Sequence, residues 1–279
     1  MTYEEEIEMG IDESIVRPRK ARKARKTRAA KLENGIPATH KEKFAVEEIY
    51  MPEKGMEFHP RSDNQKRFLR YMREGRKLIW GIGAVGAGKS IVAAYHAAQM
   101  LKERKTEKVF LLRPNVSCGK SHGAVPGDLH AKLLILFGQT ICHLEKFLGK
   151  GFTKYCLDKK IIELASIEYL RGYSFENCVV ILEECQGLTE DQYEMVLTRV
   201  GQNACLISTG DERQAHISEQ SGLRKTITML ENAVREQPEY LDQQDLSELY
   251  NNVGVVEFTF DDIQRDDITR ALAKLYYHK

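Results

Sequence analysis

The sequence predicts an α/β protein built on a mainly parallel sheet flanked by helices. Two observations carry that reading. From about Phe58 onward, short apolar runs alternate with longer amphipathic stretches, the order expected when each strand returns to the sheet through a helix. One of those runs, Leu78 to Ile82, leads directly into Gly83-Ala84-Val85-Gly86-Ala87-Gly88-Lys89-Ser90 and a further amphipathic stretch. That is the strand, glycine loop and helix spelling of a phosphate cradle.

Residues 1–57 stand apart from the alternation. Glu4, Glu5, Glu6, Glu8, Asp12 and Glu13 form an acidic block, and Arg17, Arg19, Lys20, Arg22, Lys23, Arg25, Lys26, Arg28 and Lys31 a basic one. With few large apolar side chains, these blocks bury too little surface to offset the entropy of ordering. Residues 1–31 are therefore expected to be a disordered charged tail. Residues 32–57, punctuated by Gly35, Pro37, Pro52 and Gly55, read as a linker, and 44–50 as an edge strand or surface segment within it. Nine cations suit a nucleic-acid backbone, since each neutralised phosphate releases counterions. The other reading is an arm that folds back on the acidic block or onto a neighbouring subunit.

The folded domain is expected over 58–279. Its elements, in order, are a helix over 63–73, a strand over 77–82, and a helix over 88–103. A strand over 108–112 and a helix over 127–148 follow, then strands over 161–165 and 178–182. After them come a helix over 189–200, a strand over 204–208, a helix over 219–232, a strand over 253–258 and a helix over 266–277. The stretch 232–252, rich in Glu, Gln, Asp and Tyr, reads as an inserted loop or a surface helix.

The glycine loop explains its own spelling. Glycines let the backbone curl so that several N–H groups converge on a phosphate chain, and the helix N-terminus adds partial positive charge. Lys89 adds a full charge, and the Ser90 hydroxyl can ligate Mg²⁺. The expected nucleotide contacts run through Gly83, Ala84, Val85, Gly86, Ala87, Gly88, Lys89, Ser90 and Ile91.

Two later strands supply acids. Cys178-Val179-Val180-Ile181-Leu182 is a continuous apolar run, as a central strand should be, and Glu183-Glu184 follow it at the edge where open α/β sheets bind ligands. Glu183 is the expected metal-side acid, and Glu184 the base that activates water. Ala204-Cys205-Leu206-Ile207-Ser208 ends in Thr209-Gly210-Asp211; Asp211, with Gln186 and Gln214, suits sensing of a γ-phosphate. Ahead of the loop, Asn64 and Gln65 offer amides that complement adenine's N6 and N7.

These residues, in this order, resemble the PhoH-like ATPases, relatives of the first RecA-like domain of superfamily 1 helicases. The resemblance runs from about Pro60 to the C-terminus. It includes Arg113-Pro114, Pro126-Gly127-Asp128-Leu129, Tyr169-Leu170-Arg171-Gly172, Glu183-Glu184-Cys185-Gln186 and Leu197-Thr198-Arg199-Val200-Gly201. Thr209-Gly210-Asp211, Ser221-Gly222-Leu223-Arg224 and Asp262-Ile263-Gln264-Arg265 complete it. The resemblance implies a RecA-like P-loop NTPase fold and Mg²⁺-dependent ATP hydrolysis. It implies a helicase-like partner, single-stranded RNA before DNA. An ATPase without a nucleic-acid partner, or a nucleotide-dependent assembly switch, is the alternative. One departure stands out: the family's Asp at the first acid is Glu183 here, and one extra methylene disturbs a geometry to which Mg²⁺ is sensitive, so slowed hydrolysis is expected.

No second RecA-like domain is expected after the core to supply its arginines. A neighbouring subunit is the expected donor, which implies a homo-oligomer such as a hexameric ring, with Arg199, Arg224 and Arg265 as candidates. The six cysteines make no C-x-x-C pair, so buried thiols are expected rather than zinc sites or disulfides. No apolar run reaches the roughly 18 residues of a membrane span, and the acidic N-terminus has no signal-peptide core. The expected location is the cytoplasm.

Overall fold

The computed structural model describes residues 55–114, 129–170, 172–214 and 221–277. The charged tail, the linker as far as residue 54, Cys118, Pro126-Gly127-Asp128 and Arg171 lie outside the described residues.

Six strands form one sheet among the described residues: β1 (Leu78–Gly83), β2 (Lys108–Arg113), β3 (Ile162–Ser166), β4 (Cys178–Glu183), β5 (Cys205–Gly210) and β6 (Val253–Phe258). Their order is β3-β2-β4-β5-β1-β6, and every pairing is parallel. The expected α/β class is therefore realised, with its sheet in all-parallel form. Apolar residues fill β4 from Cys178 to Leu182, and all six of its residues, the closing Glu183 included, are buried, as a strand covered on both faces requires. Register brings the strand ends level: Glu183 lies across from Thr209, Gly210 from Ile82, and Gly83 from Phe258. Everything that follows β1, β4 and β5 thus emerges on one edge.

Helices cover both faces. On one face, α1 (Asp63–Arg73), α2 (Lys89–Lys102), α3 (Leu129–Leu136) and α4 (Gly138–Leu148) pack Phe68, Met72, Val92, Ala97, Leu144 and Phe147 against Ile79, Leu111, Ile181 and Ile207. On the other, α6 (Glu190–Leu197) and α7 (Leu223–Glu236) pack Tyr193, Val196, Leu223 and Ile227 against Trp80, Leu112, Val180 and Leu206. Successive strand residues divide between the two cores, as the two-residue strand period demands. Local chemistry starts the helices. Ser62 Oγ accepts the Gln65 N–H at the head of α1, and Thr189 with Gln192 forms a capping box at α6, each satisfying donors that the first helical turn leaves open.

The structure departs from expectation between β2 and β3. The single helix expected over 127–148 is broken at Phe137 (φ −94°, ψ 7°), a fully buried side chain, so α3 and α4 are separate helices within one apolar stretch. An unanticipated α5 (Lys150–Asp158) follows Gly149, whose φ is 83°. The glycines at 149 and 151 weaken helical propensity there, while burial of Thr153 and Cys156 supplies the packing that overrides it. The stretch 232–252 completes α7 and carries α8 (Gln243–Asn252), capped by Asp242. The C-terminal α9 spans Asp267–Tyr277. Among the described residues, Cys142, Cys156, Cys178, Cys185 and Cys205 are free thiols, and no helix is long and apolar enough to cross a membrane.

Candidate functional site

The loop after β1 is held from three sides. Ala84 N–H donates to the Phe258 carbonyl at the end of β6 (3.2 Å), and a Cβ on Gly83 would collide with that same oxygen. Gly88 has φ +87°, and its missing Cβ would lie 2.6 Å from Gln65 Nε2. Only glycine combines that conformation with so close a neighbour. Gln65 is buried; its Nε2 donates to the Ala87 carbonyl (2.9 Å) and its Oε1 accepts the Arg61 N–H (2.8 Å). Gly88 is also the N-cap of α2 and supplies no side-chain acceptor, so the first-turn N–H groups of Lys89, Ser90 and Ile91 keep their capacity for an anion.

Lys89 folds back over this loop. Its Nζ donates to the carbonyls of Gly83 (2.7 Å) and Ala84 (2.8 Å). Burial pulls its pKa below the usual lysine value, and the carboxylates of Asp211, Glu184 and Asp262 act against that shift. These three acids, from the ends of β5, β4 and β6, therefore share one electrostatic neighbourhood with the lysine.

Glu183 closes β4 and is buried. Thr140, on α4, donates its hydroxyl to Glu183 Oε1. Burial pushes the Glu183 pKa up, while the Thr140 bond and the Arg113 charge work in the opposite direction. Glu184 adopts a left-handed conformation (φ 52°), rare for a residue with a Cβ, and this turns it out of the strand. Gln186 Nε2 donates to its Oε2 (2.6 Å) and Arg113 Nη2 lies 3.8 Å from its Oε1. Gln186 also ties β4 to β5, because its Oε1 accepts the Asp211 N–H (3.1 Å). Gly210 makes this approach possible, since a Cβ there would collide with Gln186 Oε1. Asp211 is buried, and its Oδ1 accepts the Arg213 N–H (3.2 Å). Gln214, one turn later, is exposed and donates its N–H to the Asp211 carbonyl (2.9 Å).

The remaining expected residues are dispersed. Asn64 Nδ2 donates to Asp262 Oδ2 (2.8 Å), and its Oδ1 accepts from Arg67 (3.2 Å). The amides of Asn64 and Gln65 therefore anchor elements of the chain. Arg199 donates to the carbonyls of Leu170 (3.1 Å) and Met195 (3.2 Å). Arg224 bridges Glu212 and Glu257 at 2.8 and 2.9 Å. Arg265 lies beside the glycine loop of its own chain. Two residues outside the sequence-based assignment join the site. Thr140 reaches Glu183 from a helix that gave no signal, whereas Arg113, beside Glu184, stands in the Arg-Pro pair already visible in sequence.

A nucleotide fits these residues. The loop leaves a glycine-walled cradle, a lysine close to three acids, and an uncapped helix start. Among the described residues, no group of three His, Cys, Asp or Glu side chains could hold a metal by itself. Ser90 and Glu183 are a sparse donor set, and Mg²⁺ suits it because that ion fills its octahedron with water and phosphate oxygens.

A match to the PhoH-like protein family covers residues 57–277. Protein PhoH of Escherichia coli (strain K12) is 34% identical over 176 residues, covering 62% of this chain and 50% of that protein. The PhoH-like protein of Bacillus subtilis (strain 168) is 34% identical over 191 residues, covering 68% of this chain and 60% of the relative. The chain spans little more than half the length of these relatives. Among solved structures, the large terminase from the thermophilic bacteriophage D6E superposes with a TM-score of 0.42 at 12% identity, over 78% of this chain and 50% of that one. The family match takes in the whole sheet, the glycine loop and the acid-bearing strand ends, and the chain belongs to the PhoH-like protein family.

Proposed function

We propose that this chain binds ATP with Mg²⁺ and hydrolyses it, with residues 58–279 as the catalytic unit. The observation that carries the reading is the level placement of three strand ends, which sets Lys89, Glu184 and Asp211 around one glycine cradle. In this reading Lys89 exchanges the Gly83 and Ala84 carbonyls for the β- and γ-phosphates, and the N–H groups from Gly86 to Ile91 hold the same oxygens. Ser90 and Glu183 hold Mg²⁺, which neutralises phosphate charge when bound. Glu184, turned out of β4 and half-exposed, takes the proton of the attacking water. Gln186, Asp211 and Gln214 sense the γ-phosphate through the β4–β5 link. Asn64 and Gln65 flank the base.

Two variants test this. Glu184→Gln is expected to keep ATP affinity while turnover falls by a factor of about 100 or more; unchanged turnover sinks the assignment of the base. Lys89→Ala is expected to abolish measurable binding, and undiminished affinity removes the cradle reading altogether.

The partner reading is a single-stranded nucleic acid, RNA before DNA, supported by the nine cations of residues 17–31. Its test is RNA- or DNA-stimulated ATPase activity with and without residues 1–31, in which a steep salt dependence marks phosphate contacts. A slow nucleotide switch is a second reading. It is favoured by Glu183, which is buried and already bonded to Thr140. A bound-nucleotide lifetime much longer than any ATP-driven cycle supports the switch. A homo-oligomeric ring, in the cytoplasm, follows only where a neighbouring subunit supplies the arginine, and mass measurement with and without ATP tests it.

A further inference from the structure

Three arginines are candidates to meet the transferred phosphate, and the fold treats them differently. Arg199 is spent on two backbone carbonyls. Arg224 is clamped between two carboxylates. Arg265 instead lies across the glycine loop of its own chain: a Cβ built on Gly86 would sit 3.3 Å from its Nε and 3.5 Å from its Cδ.

That placement is built in, because β6 pairs with β1 up to Gly83 and Phe258 and Ala84 bonds to the Phe258 carbonyl. The chain then turns through Phe260–Asp262, where the Asp262 carboxylate accepts the Thr259 N–H (2.7 Å) and the Asn64 amide (2.8 Å). Ile263 is buried and touches the same face of Gly86, 3.7 Å from the same Cβ position. Arg265 follows two residues later with its side chain exposed. The backbone beneath this guanidinium is thus tied to β1, to α1 and to the core, while the exposed side chain lies against Gly86 in the middle of the loop.

We propose that Arg265 acts in cis, contacting the β- and γ-phosphates of the nucleotide bound on its own loop; this rests on the ATP-site reading above. Gly86 stands midway between Gly83 and Lys89, in the part of the loop that wraps the terminal phosphates. A guanidinium there makes paired hydrogen bonds to phosphate oxygens, which a lysine cannot copy. In hydrolysis the water oxygen bonds to the γ-phosphorus and its proton passes to Glu184. The bond to the bridging oxygen breaks, and its electron pair stays on the ADP β-phosphate. Arg265 takes up the charge that gathers there, as arginine does in related phosphoryl transfers. One chain then holds every group the step needs, and the missing-arginine argument for a ring no longer applies.

The test uses the full chain. Arg265→Ala is expected to lower turnover by about a thousandfold while nucleotide affinity changes by about tenfold or less. Arg265→Lys should recover only a small part of the loss and guards against misfolding of the alanine variant. Co-expression of Arg265→Ala with Glu184→Gln then separates cis from trans. If the arginine works across an interface, the Glu184→Gln subunit lends its Arg265 to a partner that still has its base, and activity returns. No return is expected. Recovered activity overturns the cis assignment, and wild-type turnover in Arg265→Ala overturns any phosphate role. Failure of the underlying ATP site looks different: Lys89→Ala then keeps full nucleotide affinity whatever the Arg265 variants do.

Discussion

The loop after β1 and the acids after β4 stand on the same sheet edge yet are held by different means. Backbone and buried amides brace the loop: Ala84 to Phe258, Gln65 to Ala87, and Lys89 to two carbonyls of its own turn. The acids depend on side chains, with Thr140 on Glu183, Gln186 on Glu184, and Arg113 at 3.8 Å. A cradle fixed through backbone admits almost no substitution, whereas acids fixed through side chains can be re-aimed by one residue change.

The largest expected effect breaks the braced side. Gly88→Ala places a Cβ 2.6 Å from Gln65 Nε2 in a left-handed conformation, so ATP affinity should fall by at least about 100-fold, given a local strain of about 1–3 kcal/mol and displacement of the amide brace. Nucleotide titration measures this, and unaltered affinity means that the loop re-forms without its brace.

Acid should loosen the same side next. His96, on α2, is buried, and its pKa is pushed down to about 4 by burial and by the charges of Arg73 and Lys105, with Glu103 opposing. The unfolded chain, with an ordinary histidine value near 6.5, binds the extra proton first. Stability is therefore full above about pH 6.5 and is lost as pH falls towards 4, by roughly 3 kcal/mol. His96→Gln should flatten that slope in urea midpoints measured across the window. An unchanged slope assigns the loss to other groups, with His143, also pushed down to about 4, the first to examine.

On the adjustable side, Thr140→Val removes a donor from the buried Glu183 and should cost about 1–3 kcal/mol, with Thr140→Ser close to wild type. A shift in the Mg²⁺ dependence of turnover should accompany the valine change alone. If valine alters neither stability nor Mg²⁺ dependence, α4 does not hold the acid. The smallest effect is expected for Arg224→Ala. Its side chain is 46% exposed, so its ion pairs contribute about 1 kcal/mol or less and are screened by salt. Turnover should stay near wild type, and a deep loss restores Arg224 as a catalytic candidate.

The same contrast explains what could be read from the sequence. Strand β6 falls on the expected residues and β1 within one of them, because buried parallel strands are written as apolar runs. The loop and both acid-bearing strand ends were legible for the same reason, each being a short run of adjacent residues. Thr140 was not legible: a threonine inside a helix has no distinctive pattern, and its partner is 43 positions away. The break at Phe137 was hidden because a buried aromatic continues an apolar pattern whether or not the helix continues. The place of Arg265 depends on β6 lying beside β1, a matter of strand order that periodicity does not encode.

That strand order also bears on how the protein is made. β1 lies between β5 and β6, the two strands of the described sheet that come latest in the chain. A nascent chain ending before Cys205 has no strand on either side of β1, and one ending before Val253 still lacks the Phe258 carbonyl that holds Ala84. Contacts so distant in sequence form late and slowly. The cradle, among the first functional segments to be synthesised, is thus among the last to close, and nucleotide cannot template the fold until translation of the sheet is complete.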